Sequence, residues 1–340
     1  MGATTQVTNF SDLYTDLLNR IRADTSASTT VSHAKRFINT ALMDMHLGFR
    51  EKVPWAERTA VLITQPDYTT GTVSISQGST TLTGSSTAWT TNNAFGVANA
   101  RAGGKIKVNG QEVYEVSAVG AATTITLGSK YVGDDVAAGS GYTYFEDEYA
   151  LVSDFLRPVE TRSFDSGGEI ELVDRKTFRR EFTRNNIPGR PLVATIIEKT
   201  FSGNSTPVRK IVLARPPDKA YSIPYSYVTT NLAVSSSGTE AVSLSADADE
   251  PIVPLPYRHI IVLHALKNWY RDKKNDARAQ LVAQEYTDAM IRLAQDHEIG
   301  SPRSALVPLT ASYKRAARRP WRGPGTGRYQ TNGEFDRFEI

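Results

Sequence analysis

The chain of 340 residues contains no cysteine. Disulfides, thiol nucleophiles and every cysteine-ligated zinc or iron-sulfur centre are thereby excluded. Histidine is sparse, five in all, and no His-Glu-x-x-His pattern occurs. No apolar run approaches the roughly 18 residues that a membrane-spanning helix needs, so no membrane association is expected. The opening stretch "MGATTQVTNFSDLY" lacks a basic segment followed by an apolar one and does not complete a myristoylation pattern. The expectation is a soluble protein that stays in the cytoplasm where it is made.

Large net charge is also missing: 39 Lys and Arg face 36 Asp and Glu, for a formal +3. The small excess is local. "YKRAARRPWRGPGTGRYQ", Tyr313 to Gln330, holds six cations and no acid, so the remainder must sum to −3. A body of that balance is a poor general coat for nucleic acid, and whatever the basicity does belongs to the tail.

What is present is patterned. Phe10, Leu13, Tyr14, Leu17, Leu18 and Ile21 recur at helical spacing, with Asn9 or Ser11 placed to cap, which predicts a helix over about 10–24. Val31, Ala34, Phe37, Ile38, Ala41, Leu42 and Met45 predict a second helix ending near Gly48. In the C-terminal half, "PLPYRHIIVLHALKNWYRDK" predicts a buried helix that starts at prolines. A further helix in "NDARAQLVAQEYTDAMIRLAQDHE" should bury Ala279, Val282, Ala283, Tyr286, Ala289, Met290 and Leu293, capped by Asn275 or Asp276.

Between the helices the composition shifts to Thr, Ser, Gly and short β-branched runs. Asn109-Gly110 between two alternating runs is a hairpin signal, and Tyr68 to Phe145 predicts a small antiparallel barrel or sandwich inserted near Asp67 and Asp147. "EDEYALVSDFLRP" predicts a short helix or turn, and "DRKTFRREFTRNN" a helix ending near Asn186. "PLVATIIEK", "RKIVLARPPDKAYSIPYSYVTT" and "TEAVSLS" supply further strands, with Pro216, Pro217 and Asp218 turning between a natural strand pair. The fold class is α+β: a helical bundle from the N- and C-terminal helices, a β-rich middle with the inserted module, and an extended C-terminal arm. The segments are 1–66 (N-terminal helices), 67–147 (inserted module), 148–250 (β-rich continuation), 251–300 (C-terminal helices) and 301–340 (arm).

Converging chemistry is scarce, and a structural rather than enzymatic role is expected, with no cofactor, catalytic or metal site. His259 and His264 stand five apart on one helix, about 140° around its axis, and do not face one metal easily. Asp247 to Glu250, "DADE", lacks calcium-loop spacing and reads as a solvated acidic turn. "GPGTGRY" lacks the rest of a phosphate-binding loop, and the Asn204-Ser-Thr triplet has no secretory context. The basic tail carries Tyr313, Arg315, Arg318, Arg319, Trp321, Arg322, Arg328, Tyr329, Phe335 and Phe338. Three uses stand open: a nucleic-acid grip, a disordered end, or an arm docking into a partner through aromatic and Arg anchors, the last favoured.

The layout of "FSDLYTDLLNRIRAD", "VSHAKRFINTALMDMHL", "KIVLARPPDKAYSIPYSYVTT" and "LSADADEPIVPLPYRHIIVLHALKNWYRDKKNDARAQLVAQEYTDAMIRLAQ" resembles the head-to-tail adaptor proteins of tailed bacteriophages. The resemblance covers most of the chain outside residues 67–147. "GTVSISQGSTTLTGSSTAWT" with "GGKIKVNGQEVYEVSAVGAATTITLGSKYVG" is similar to small β-modules of phage tail, fibre and adaptor proteins, so a tail-fibre or baseplate protein is the alternative. The resemblance implies a homo-oligomeric ring, commonly of twelve copies, at the virion neck. That ring would bind the portal protein after packaging, extend the channel for genomic DNA as passing cargo, and seat downstream tail, nozzle or fibre proteins. It also implies that the segment from about Pro302 to Ile340 reaches the portal, with the ten tail residues named above as contacts.

Overall fold

A computed structural model describes residues 7–48, 54–110, 112–159, 164–165, 169–182, 187–199 and 208–296. The chain is mixed α+β, with helices toward both ends and a β-rich middle. Helix α1, Phe10–Ile21, starts where the Asn9 side chain accepts from the Asp12 amide at 3.0 Å and the Asp12 carboxylate accepts from the Asn9 amide at 3.3 Å. This reciprocal pairing satisfies donors that a helix start leaves open. Phe10, Leu13, Leu17 and Leu18 are buried. The helix stops short of residue 24 because Arg22 turns left-handed, φ 54°, and its amide returns to Leu18 and Asn19 carbonyls. Helix α2, Ser28–Gly48, buries Ala34, Ile38, Ala41, Leu42 and Met45.

Strand β1, Glu57–Ile63, leads to a seven-stranded sheet. Its strands are β2 (Thr72–Ile75), β3 (Thr81–Ser85), β4 (Lys105–Val108), β5 (Val113–Ala121), β6 (Thr124–Leu127), β7 (Val136–Ser140) and β8 (Tyr142–Phe145). The order is β7-β2-β3-β6-β5-β4-β8, every pair antiparallel. Burial alternates along β2, β4 and β6, the period-two pattern of strands with one face turned to a core. That core holds Trp89, Tyr131, Tyr144, Leu82, Ile106, Val116 and Ile125. Asn109 and Gly110, φ 47° and 73°, both take the left-handed backbone that the turn between β4 and β5 requires. The chain enters and leaves this sheet side by side: Tyr68 and Tyr144 exchange backbone hydrogen bonds of 2.8 and 2.9 Å.

The second sheet combines β1 with β9 (Glu148–Ala150), β10 (Phe155–Pro158), β11 (Phe164–Asp165), β12 (Glu169–Leu172), β13 (Val193–Lys199), β14 (Val208–Leu213) and β15 (Ser222–Thr229). Its order is β1-β15-β11-β12-β13-β14-β9, with β10 also on β15. Helix α3, Arg175–Glu181, connects β12 to β13, the one parallel pair in this sheet among the described residues. Phe164 and Tyr225 stack at 4.8 Å in its core.

Two expectations are corrected here. "EDEYALVSDFLRP" forms strands β9 and β10 with a turn between them, because period-two spacing buries Tyr149 and Leu151 on one face and β9 finds β14 as partner. Strands β14 and β15 do not pair with each other. The eight residues between them, with Pro216 and Pro217, are too long for a tight hairpin, and the connection is tied elsewhere: Gly189 donates to the Pro216 carbonyl and Thr64 to that of Tyr221. Strand β15 therefore pairs with β1 over seven residue pairs.

Short strands β16 (Ala233–Val234), β17 (Glu240–Ala241) and β18 (Glu250–Pro251) form a small antiparallel sheet. Helix α4, His259–Asp272, buries seven consecutive residues, Ile260 to Leu266, and packs on both α1 and α2. Helix α5, Asp276–Asp296, is capped by Asn275, whose side chain accepts from the Arg278 amide at 3.3 Å. Ala279, Val282 and Leu293 are buried as expected, whereas Ala283, Tyr286, Ala289 and Met290 are only partly buried. The packing divides the chain between Thr287 and Asp288, inside α5.

Candidate functional site

The ten arm residues, Tyr313, Arg315, Arg318, Arg319, Trp321, Arg322, Arg328, Tyr329, Phe335 and Phe338, lie outside the described residues, as do Asn204 and "GPGTGRY". The described residues instead develop two polar constellations that carry the architecture.

The first is built on the acidic stretch. Asp247 is exposed yet engaged: its carboxylate meets Lys35 Nζ at 2.6 Å and its carbonyl accepts from the Ser11 amide. The Asp249 carboxylate accepts from the Ser245 and Ala246 amides, both at 2.8 Å, which holds it below the usual carboxylate range. The Asp249 carbonyl accepts from the Phe10 amide at 2.8 Å. Glu250 pairs with the buried Arg258 at 2.9 Å, and Arg258 also donates to the carbonyls of Val253 and Thr8. The expected solvated turn is thus a clip that fastens the first turn of α1 to the segment before α4. Arg258, inside "PYRHI", carried no sequence signal, because a lone arginine at a helix start looks like a surface residue.

The second lies where the seven-stranded sheet joins the rest. Glu146, 4% exposed, accepts from Tyr144 Oη at 2.6 Å and from Arg101 Nε at 3.0 Å. Asp147 accepts from Lys105 Nζ at 2.5 Å, and Glu148 lies 3.8 Å from Lys210. Gln65 donates its amide to Tyr149 Oη at 3.1 Å, and Tyr149 Oη donates to the Glu146 carbonyl. Burial pushes the Asp147 and Asp67 carboxyls up from the ordinary value, Asp67 further by the charge of Asp218. Three consecutive acids at the point where the chain leaves the sheet each face a cation carried by another strand or loop. Such a set fixes orientation through paired charges in a water-poor site.

The histidines do not converge. His259 is exposed and its Nδ1 bonds the Pro256 carbonyl at 3.0 Å, whereas His264 is buried with its ring 4.9 Å from that of Tyr286. Among the described residues no group of three or more His, Asp and Glu is placed to hold a metal, and no helix is long and apolar enough to cross a membrane. Between α2 and α4 runs an open groove of about 380 Å³ lined by His33, Arg36, Phe37, Thr40, Asn268 and Asp272.

Burial, then the charge of Lys267, lowers His264 to about 4, while Asp44 pulls it the other way. An unfolded histidine titrates near 6.5, so between those values the unfolded chain binds more protons. Stability supplied by neutral His264 is present above pH 6.5 and is lost as pH falls toward 4. With partial solvent access the loss is expected at about 1–2 kcal/mol. Urea unfolding at pH 7 and 4.5 checks it: His264→Gln should narrow the difference between the two midpoints, and an unchanged difference would refute the assignment. Buried His46, whose Nε2–H donates to the Thr229 carbonyl at 2.8 Å, is lowered in the same direction by burial and contributes to the difference that remains.

Comparison with protein-family models found no match to this chain, and comparison with curated proteins likewise found none.

Proposed function

We propose that this chain is a structural, non-catalytic virion protein: a head-to-tail adaptor whose copies form a ring, twelve in number, beneath the portal protein at the virion neck. In this reading the helices of residues 1–66 and 251–300 act as a bundle with the β-rich 148–250, and residues 67–147 are an inserted barrel-like module. Residues 301–340 are the portal-docking arm. The ring extends the channel through which genomic DNA passes and seats downstream tail, nozzle or fibre proteins.

The observation that supports it best is that α4 packs on both α1 and α2, bringing the chain's two ends into one helical layer, while the seven-stranded sheet leaves and rejoins the chain at adjacent strands. A host of that form accommodates an inserted module between two neighbouring points of its chain. Arginines interleaved with aromatics suit such docking, since these residues dominate interface energetics.

The expected result for a chain truncated after Thr310 is an unchanged melting temperature and no binding to purified portal or filled heads. Normal assembly of the truncated protein would refute the arm. A tail-fibre or baseplate role is the second reading, favoured by the Ser/Thr-rich seven-stranded sheet. Electron microscopy of particles separates the two: a ring at the head vertex supports the adaptor, and trimeric or six-fold attachment away from the head supports the alternative.

A further inference from the structure

We infer that the outward face of α3 takes the phosphate backbone of duplex DNA. Arg175, Lys176, Arg179 and Arg180 fall within an arc of about 140° at 3.6 residues per turn, in two rows one turn apart. All four are exposed, and the helix has no buried residue. Beside that arc, Phe178 and Phe182, ring centroids 5.9 Å apart, are half-buried, and α3 packs on β13. The crossover from β12 to β13 therefore presents four cations outward from a seated helix.

The four cations outnumber the two acids beside them. Glu181 pairs with Arg180 at 2.6 Å, and the Asp174 carboxylate, which also acts on Arg180, caps the helix by accepting from the Lys176 and Thr177 amides at 2.8 and 3.0 Å. Arg175, Lys176 and Arg179 have no carboxylate partner among the described residues. Elsewhere Arg58, Arg101, Arg209 and Arg258 each meet a glutamate.

The composition of the face selects the partner. A protein docking site is anchored by aromatic or aliphatic side chains in pockets, and these four positions supply none. Long cations at one-turn spacing match a row of phosphates, each contact releasing a counterion.

Four contacts give a log–log salt slope of about −3.6 and a loss of roughly 150-fold in affinity between 50 and 200 mM salt. The test is fluorescence anisotropy of a random-sequence duplex with the full-length protein across that range. Two variants accompany it: Arg175→Gln/Lys176→Gln/Arg179→Gln/Arg180→Gln, and Arg318→Ser/Arg319→Ser/Arg322→Ser in the arm. The α3 variant should weaken binding at 50 mM salt at least roughly 10-fold and flatten the slope by about 3, whatever the arm variant does. Arg175→Lys/Arg179→Lys/Arg180→Lys, which keeps the charges, should retain binding and so separates lost charge from lost fold. Wild-type affinity and slope in the α3 glutamine variant would overturn the inference. So would absence of binding by the unaltered protein at 50 mM salt, or displacement of the DNA by polyglutamate of equal charge as readily as by DNA. The inference rests on α3 and not on portal docking: truncation after Thr310 can abolish the latter and leave the α3 contribution intact.

Discussion

Trp89→Ala is expected to destabilise the seven-stranded sheet by about 3–5 kcal/mol, the cost of emptying a fully buried aromatic site. Trp89 has no exposed surface. Its ring meets Tyr142 edge to face at 5.7 Å, and its Nε1–H donates to Tyr142 Oη at 2.9 Å; Tyr142 Oη in turn donates to the Thr70 carbonyl at 2.7 Å. The neighbourhood is shaped for the indole: a Cβ on Gly84 would stand 2.8 Å from Trp89 Cη2. Alanine therefore leaves a cavity that the sheet cannot close and removes the Tyr142 hydroxyl's donor. Trp89→Phe, which keeps most of the packing and loses the hydrogen bond, should cost much less. Urea unfolding with limited proteolysis checks both: cleavage in Trp89→Ala should concentrate in residues 67–147 while the second sheet stays protected. A loss below about 1 kcal/mol would mean that the site collapses around the smaller side chain.

The sequence context of Trp89, "SSTAWTTNN", carries no mark of its burial, and the reason is general for this chain. Signals written over a few residues were legible. Asn9 or Ser11 marks the start of α1, the apolar register of α5 places Ala279, Val282 and Leu293 in the core and Ala283, Tyr286, Ala289 and Met290 at its edge, and Asn109-Gly110 marks the turn between β4 and β5. Each depends on neighbours within one helical turn or one hairpin.

Pairings set by distant segments were not legible. Strand β15 pairs with β1, about 160 residues earlier, so the adjacency of β14 and β15 in sequence misled. Strands β9 and β10 are short enough that their apolar spacing reads equally as one helical turn. Buried polar residues were missed for a related reason. Half-buried Asp154 accepts from the hydroxyls of Tyr227 and Thr229 at 2.9 and 2.7 Å, and buried Arg258 holds the Val253 and Thr8 carbonyls, but a charged letter carries no mark of burial until its partners are brought to it. For the candidate site, the arm residues were chosen from composition and lie outside the described residues, while the basic face of α3 was read only as part of a helix. Its significance came from seeing which cations lack carboxylates.

Glu146→Ala is expected to cost about 2–4 kcal/mol, because it strips a buried acceptor from three donors at once. Tyr144 is 1% exposed and cannot take water in place of the lost carboxylate. Burial, then the nearby Glu146 charge, raises the Tyr144 hydroxyl well above its ordinary value, so it stays protonated and keeps donating through the neutral range. Arg101 is different. Its side chain is 42% exposed, so the freed guanidinium rehydrates, which holds the loss below the full cost of breaking an ion pair buried on both sides. Glu146→Gln retains one acceptor oxygen and should lose roughly half as much. Because Glu146 and Asp147 lie where the chain leaves the seven-stranded sheet, the variant should also loosen the sheet's attachment through Gln65 and Tyr149. Hydrogen exchange at the Tyr68 and Tyr144 amides reads that directly, and faster exchange there is expected. A double-mutant cycle with Arg101→Ala gives the coupling, expected at about 1–2 kcal/mol for a half-exposed pair. Full additivity would show that Tyr144, and not the ion pair, accounts for the loss.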